Sequence, residues 1–158
     1  MSHPAITLRH ARPDDYPRLQ AILQSTYEDT WLPHLSPEAI AERQDTHSLT
    51  EYVARIGQDT LLAEIDGEVL GMIYWNGDFI DAVHVLQAGR RCGVARALMD
   101  AAEDAMRRAG IPRARLETDT FNTGSQAFYL ARGYVEMERY PDLEWNSGFT
   151  TILYEKAL

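Results

Sequence analysis

An α/β (α+β) fold, with a mixed, mostly antiparallel central sheet of about seven strands and helices on both faces, is predicted by three features of the sequence. The apolar period alternates between two and about 3.6, giving the order β-α-α-α-β-β-β-α-β-α-β-β. Two turn dipeptides, Asp66-Gly67 and Asn76-Gly77, join three consecutive strands. The 158 residues are 45% apolar, enough for a real core within a single domain, residues 1–158.

The elements follow in order. Residues 6–10 alternate as a strand. Pro13-Asp14-Asp15 opens a helix with Pro17 in its first turn, where the missing N–H costs little, and Leu19, Ile22, Leu23 and Tyr27 form its apolar stripe. Ser36-Pro37-Glu38 reads as an N-cap for a short helix over residues 37–43. Ser48 to Glu51 is a capping box for a third helix with Tyr52, Val53 and Ile56 on its apolar side. Strands over residues 60–65, 69–75 and 79–86 come next. A helix over residues 93–110 carries Leu98, Ala101, Ala102 and Ala105 on one side and stops at Gly110. A strand over 115–120, a helix over 125–132 stopped by Gly133, and strands over 134–140 and 149–155 complete the chain.

Composition removes several classes of function. No apolar run reaches the ~18 residues of a membrane span, and the first four residues lack the character of a signal peptide, so a cytoplasmic protein is expected. The single cysteine, Cys92, excludes an intrachain disulfide framework and a multi-cysteine metal site. The net charge of −9 argues against nucleic acid and suits a cationic partner such as an amine.

Two segments carry chemistry. Residues 83–96 run from a strand through a loop into a helix, and the loop ends in Arg-x-x-Gly-x-Ala (Arg90, Gly93, Ala95). Small residues let the backbone approach a ligand, and a helix start offers unpaired N–H groups and a positive dipole end. Together they form an anion cradle suited to a phosphate or pyrophosphate, with Arg90, Arg91 and Arg96 adding positive charge. Neither a P-loop nor a G-x-G-x-x-G fingerprint is present. The second segment, residues 122–134, follows the strand over 115–120. It sets Asn122 at a polar loop and Tyr129 in the helix after it, an amide for a polar ligand and a phenolic proton.

These two segments together resemble the signature of the GNAT superfamily of N-acetyltransferases. Arg90 to Ala95 is similar to its pyrophosphate motif, and Asn122, Ser125, Phe128, Tyr129, Gly133 and Tyr134 fill its second motif. Gln87 stands where many members carry proline, and Ala95 replaces the commoner second glycine. Neither change removes a backbone donor from the cradle.

The resemblance implies acetyl-CoA as co-substrate, lying in a V-shaped gap between the strand ending at Leu86 and the strand over 115–120. It implies that backbone groups of Val83, His84 and Val85 pair with the pantetheine arm. Backbone N–H groups of Arg91, Cys92, Gly93, Val94, Ala95 and Arg96 would hold the pyrophosphate with Arg90 beside them, and Asn122 would bond the pantetheine. Tyr129 would protonate the leaving thiolate, and the acceptor would attack directly in a ternary complex. Glu117 is the first candidate base, with Asp81, His84 or ordered water as alternatives. Cys92 is read as incidental. The acceptor side would be lined by Tyr27, Glu28, Asp29, Trp31 and His34 and by Tyr140, Asp142, Glu144 and Trp145. Acids and aromatics there suit a small-molecule amine or amino-acid-like acceptor. A peptide N-terminus and a non-catalytic acyl-CoA sensor are the alternatives. Members are often dimers, so the resemblance also points to a homodimer.

Overall fold

Asp66 and Gly67 both take positive φ, 53° and 79°, the pairing that lets a two-residue turn follow the twist of its flanking strands. That turn folds β2 (Leu61–Ile65) onto β3 (Glu68–Asn76), and the next turn brings in β4 (Phe79–Val85). The computed structural model describes residues 5–46, 48–142 and 147–158. Within them β1 (Ile6–His10), β5 (Arg113–Asp119), β6 (Val135–Pro141) and β7 (Thr150–Ala157) complete one seven-stranded sheet in the order β1-β2-β3-β4-β5-β7-β6. All neighbours are antiparallel except β4 and β5. The mixed, mostly antiparallel sheet is the one expected.

Both faces are covered. On one, α1 (Tyr16–Thr26) and α3 (Leu49–Ile56) bury Leu19, Ile22, Leu23, Val53 and Ile56 against Leu62 and Met72. On the other, α4 (Val94–Arg108) and α5 (Thr123–Ala131) pack Leu98, Met99, Ala102, Met106 and Tyr129 against Ile73, Leu116, Ile152 and Tyr154. Among the described residues no helix is long and apolar enough to cross a membrane.

Element boundaries move for identifiable reasons. The helix expected over residues 37–43 runs on as α2 (Pro37–Thr46). α4 begins at Val94 because Gly93 is its left-handed N-cap, φ 82°. α5 begins two residues earlier than expected because the Asn122 side chain caps it, accepting from the Ser125 N–H at 3.3 Å. The buried stripe of α4 is Val94, Leu98, Met99, Ala102 and Met106, with Ala101 and Ala105 at its margin. It also contains a fully buried carboxylate, Glu103. Tyr27 is not on the α1 stripe: residues Tyr27–Trp31 form a π-helical turn, followed by a 3-10 turn over Leu32–His34.

The β4–β5 junction positions the site. The two strands pair only at Phe79–Arg115 and Ile80–Leu116, yet both continue beyond that point. A bulge sits where they part: Trp75 and Tyr74 of β3 face Ile80 and Ala82, leaving Asp81 as the extra residue on β4. A bulge bends its strand and increases the local twist, which steers β4 away from β5.

Candidate active site

Past Ile80, one edge of β4 is bonded to β3 and the other has no strand partner among the described residues. Val83, His84 and Val85 lie on this arm, half-buried. Their backbone groups on the open edge are available to an extended ligand, in the manner of an added strand.

The loop after β4 is shaped as an anion cradle. Gln87–Gly89 make a 3-10 turn, then Arg91 (φ 63°) and Gly93 (φ 82°) take left-handed conformations on either side of Cys92. Alternation of this kind turns successive N–H groups toward a common point. No side chain caps α4, so the N–H groups of Val94, Ala95 and Arg96 are left for a ligand. α4 reaches this position by close approach to the sheet: a Cβ on Gly71 of β3 would come within 2.6 Å of Val94 Cγ1 and 3.2 Å of Leu98 Cδ1. Arg91 and Arg96 are exposed and have no carboxylate partner among the described residues. Arg90 forms a loose, exposed ion pair with Asp29 at 4.0 Å. Cys92 is half-buried, its sulfur 4.0 Å from the Ala88 carbonyl.

Tyr129 lies in the core between Phe128, Tyr134 and Tyr154, with ring centroids 5.3, 5.8 and 6.3 Å away. Its hydroxyl makes no hydrogen bond among the described residues, and burial pushes the phenol above its ordinary range. The ring is buried, but the hydroxyl oxygen is not fully enclosed, so water or a ligand can reach it.

A sequence model of the acetyltransferase (GNAT) family matches residues 16–134. The chain belongs to the GNAT family of acetyltransferases. No curated protein matches it significantly. Solved structures share the fold over the whole chain. A GCN5-related N-acetyltransferase from Rhodopseudomonas palustris is 23% identical over 100% of this chain and 98% of that one, with a TM-score of 0.77. The PaiA N-acetyltransferase from Thermoplasma acidophilum, solved with coenzyme A, is 18% identical over 98% and 99%, TM-score 0.74. The ribosomal-protein-alanine N-acetyltransferase from Brucella melitensis is 21% identical over 96% and 99%, TM-score 0.71.

In this GNAT domain the face of the gap covered by α1 carries the remaining candidates. Glu117 of β5 is exposed and accepts a 2.5 Å hydrogen bond from the Tyr140 hydroxyl on β6. Asp81, in the bulge, accepts from the Tyr52 hydroxyl of α3 at 2.6 Å. His84 Nδ1 is 2.9 Å from the Thr26 hydroxyl of α1, which also reaches the Ile22 and Leu23 carbonyls. The Trp31 ring lies 5.9 Å from the His84 ring, and its Nε1–H donates to Asp119 Oδ2 at 2.8 Å. Asn122 spends its side-chain oxygen on capping α5, so its NH2 group is what remains for a ligand. Of the expected acceptor-side residues, Glu144 and Trp145 lie outside the described residues. Asp119 and Thr26 were not foreseen. Their partners are 88 and 58 residues away in the chain, and no local pattern marks them.

Proposed function

We propose that this single-domain protein is an N-acetyltransferase that moves an acetyl group from acetyl-CoA to a primary amine by direct attack, both substrates bound together. The observation that carries the reading is Tyr129, whose ring is buried in the core and whose hydroxyl has no hydrogen-bond partner among the described residues yet is not sealed off, on the helix that follows the open arm of β5. A binding module has no use for a proton donor at that position.

When bound, acetyl-CoA supplies the acetyl thioester. The open edge of Val83, His84 and Val85 would hold the pantetheine arm, assisted by the Asn122 NH2 group. Residues Arg91 to Arg96 would hold the pyrophosphate, with Arg90 released from Asp29. Tyr129 gives its proton to the sulfur as the C–S bond breaks and the C–N bond forms. Burial that raises the phenol raises the basicity of a thiolate formed beside it, so the two stay matched. An ammonium that becomes an amide loses two protons. One balances the thiol, returning through Tyr129, and the other needs a base. The β5 carboxylates serve that need, Glu117 being the first candidate, one residue past the last β4–β5 pair and bonded to Tyr140. The acceptor is a small or amino-acid-like amine, consistent with the acids and aromatics Asp29, Trp31, Tyr140 and Asp142 around the gap. A cytoplasmic location and a homodimer belong to the same reading.

The test is Tyr129→Phe, followed by thiol release with an amine panel and by calorimetry with acetyl-CoA. Turnover should fall about 100-fold or more while acetyl-CoA affinity is nearly unchanged. Wild-type protein that binds acetyl-CoA yet releases no thiol with any amine would make it a non-catalytic sensor instead.

A further inference from the structure

We propose that Asp119 is the group that takes the acceptor's ammonium proton, and that Trp31 positions it. The inference rests on the acetyltransferase reading and assigns its missing base.

Asp119 ends β5, three residues past the last β4–β5 pair, on the arm that has left its neighbour. It shares a face with Glu117, two residues earlier, because strand side chains alternate. The two carboxylates are held differently. Glu117 is exposed and bound to Tyr140. Asp119 is half-buried, and its Oδ2 is fixed by the Trp31 indole N–H, leaving Oδ1 without a hydrogen-bond partner among the described residues. One oxygen anchored and one open is the arrangement a positioned proton acceptor needs.

Trp31 is well placed to do the anchoring. It closes the π-helical turn after α1, an irregularity that re-aims a side chain relative to a regular helix. From there the same ring contacts His84 on the β4 arm and Asp119 on the β5 arm. It therefore spans the gap at the level of the open Oδ1. Burial pushes the Asp119 carboxyl above the usual range, the Trp31 hydrogen bond partly opposes this, and the charges of Asp142 and Glu117 add to the rise. A carboxylate pushed up is a stronger base. The titratable groups around it are Glu117 on its own strand, Asp142 after β6, His84 beyond the Trp31 ring, and His34, stacked on Phe121 at 4.3 Å.

In the step, an N–H bond of the ammonium breaks and its electron pair stays on nitrogen. An O–H bond forms on Asp119 Oδ1. The neutral amine then attacks, and Asp119 returns the proton to solvent once product has left.

The experiment compares wild type, Asp119→Asn and Trp31→Phe with acetyl-CoA and three probes: tyramine, spermidine and an alanyl peptide. Asp119→Asn keeps an oxygen for Trp31 but cannot take a proton. With the best probe its kcat/KM at neutral pH should fall about 100-fold, with acetyl-CoA affinity within about twofold. Trp31→Phe keeps the ring and removes the hydrogen bond that holds the carboxyl down, so the acid limb of kcat/KM should move to higher pH. The ¹³C NMR titration of the Asp119 carboxyl, which needs no acceptor, should show the same upward move, from a wild-type midpoint already above ~3.9. Full kcat/KM in Asp119→Asn overturns the proposal. So does a wild-type midpoint at or below ~3.9, or one that Trp31→Phe leaves in place. Failure of wild type to bind acetyl-CoA by calorimetry overturns the acetyltransferase reading, and the proposal with it.

Discussion

Glu103→Gln should destabilise the protein by about 3 kcal/mol. The Glu103 side chain is 2% exposed and takes hydrogen bonds from Lys156 Nζ (2.5 Å), Arg132 Nη2 (2.9 Å), Arg132 Nε (3.3 Å) and the Tyr134 hydroxyl (3.0 Å). A carboxylate, acceptor on both oxygens, suits this ring of donors. Glutamine keeps the shape but removes the charge and turns an NH2 group toward a cation. Breaking a buried ion pair costs about 3–5 kcal/mol. Arg132 and Lys156 are 12% and 19% exposed and regain some water, which places the loss near the lower end. Arg107, 3.7 Å away and 45% exposed, adds little. The assays are urea unfolding followed by circular dichroism, which reads the free-energy loss, and a thermal scan, in which Tm should fall about 6–12 °C for a chain of this length. Acid supplies a second reading. Burial alone would push the Glu103 carboxyl up, but the hydrogen bonds from Lys156 and Arg132 outweigh it and hold it below the usual range. A depressed folded value means the network's stabilisation is complete above the unfolded value of ~4.3 and is lost as pH falls through the lower folded one. Wild type and variant should therefore converge below pH ~4. A loss under about 1 kcal/mol at neutral pH, or a gap that does not narrow in acid, would refute the reasoning.

Gly93→Val places a β-branched residue at φ 82°, a strain of about 1–2 kcal/mol that the loop relieves by turning its N–H groups out of the cradle; calorimetry should show acetyl-CoA affinity down at least tenfold. Asp15→Asn removes a carboxylate that the Arg9 hydrogen bond holds down at about 2. Stability from this pair is present above the unfolded value of ~3.9 and lost as pH falls through about 2, so acid unfolding curves should show the variant weaker by up to about 1 kcal/mol at neutral pH and level with wild type near pH 2.

Much of the candidate site's local geometry is legible in the sequence because it is built from contiguous runs. The cradle needs one glycine at a helix start, Gly93, and its neighbours through Arg96 are consecutive in the chain. The Asn122-to-Tyr134 run likewise holds the cap, the phenol and the helix stop together. What escaped depends on distant partners or on backbone states without a residue code. Glu103 falls on the buried stripe of α4, but its partners Arg132 and Lys156 are 29 and 53 residues away. Arg91 is left-handed although it is not glycine. The π-helical turn at Tyr27–Trp31 continues the helical period closely enough that Tyr27 reads as part of the α1 stripe, yet it redirects Trp31 toward Asp119. The sequence marks Asn122 as a ligand group, while its capping of α5 depends on geometry that only the folded loop supplies.

The acetyltransferase reading requires that the gap between β4 and β5 bind acetyl-CoA. A calorimetric titration with acetyl-CoA, with NADH and ATP as controls, tests it most directly. Saturable binding of one acetyl-CoA per chain, and none of either control, is expected. No heat at ~1 mM acetyl-CoA, or equal binding of ATP, would contradict it and reduce the loop from Arg90 to Arg96 to a turn or a general phosphate cradle.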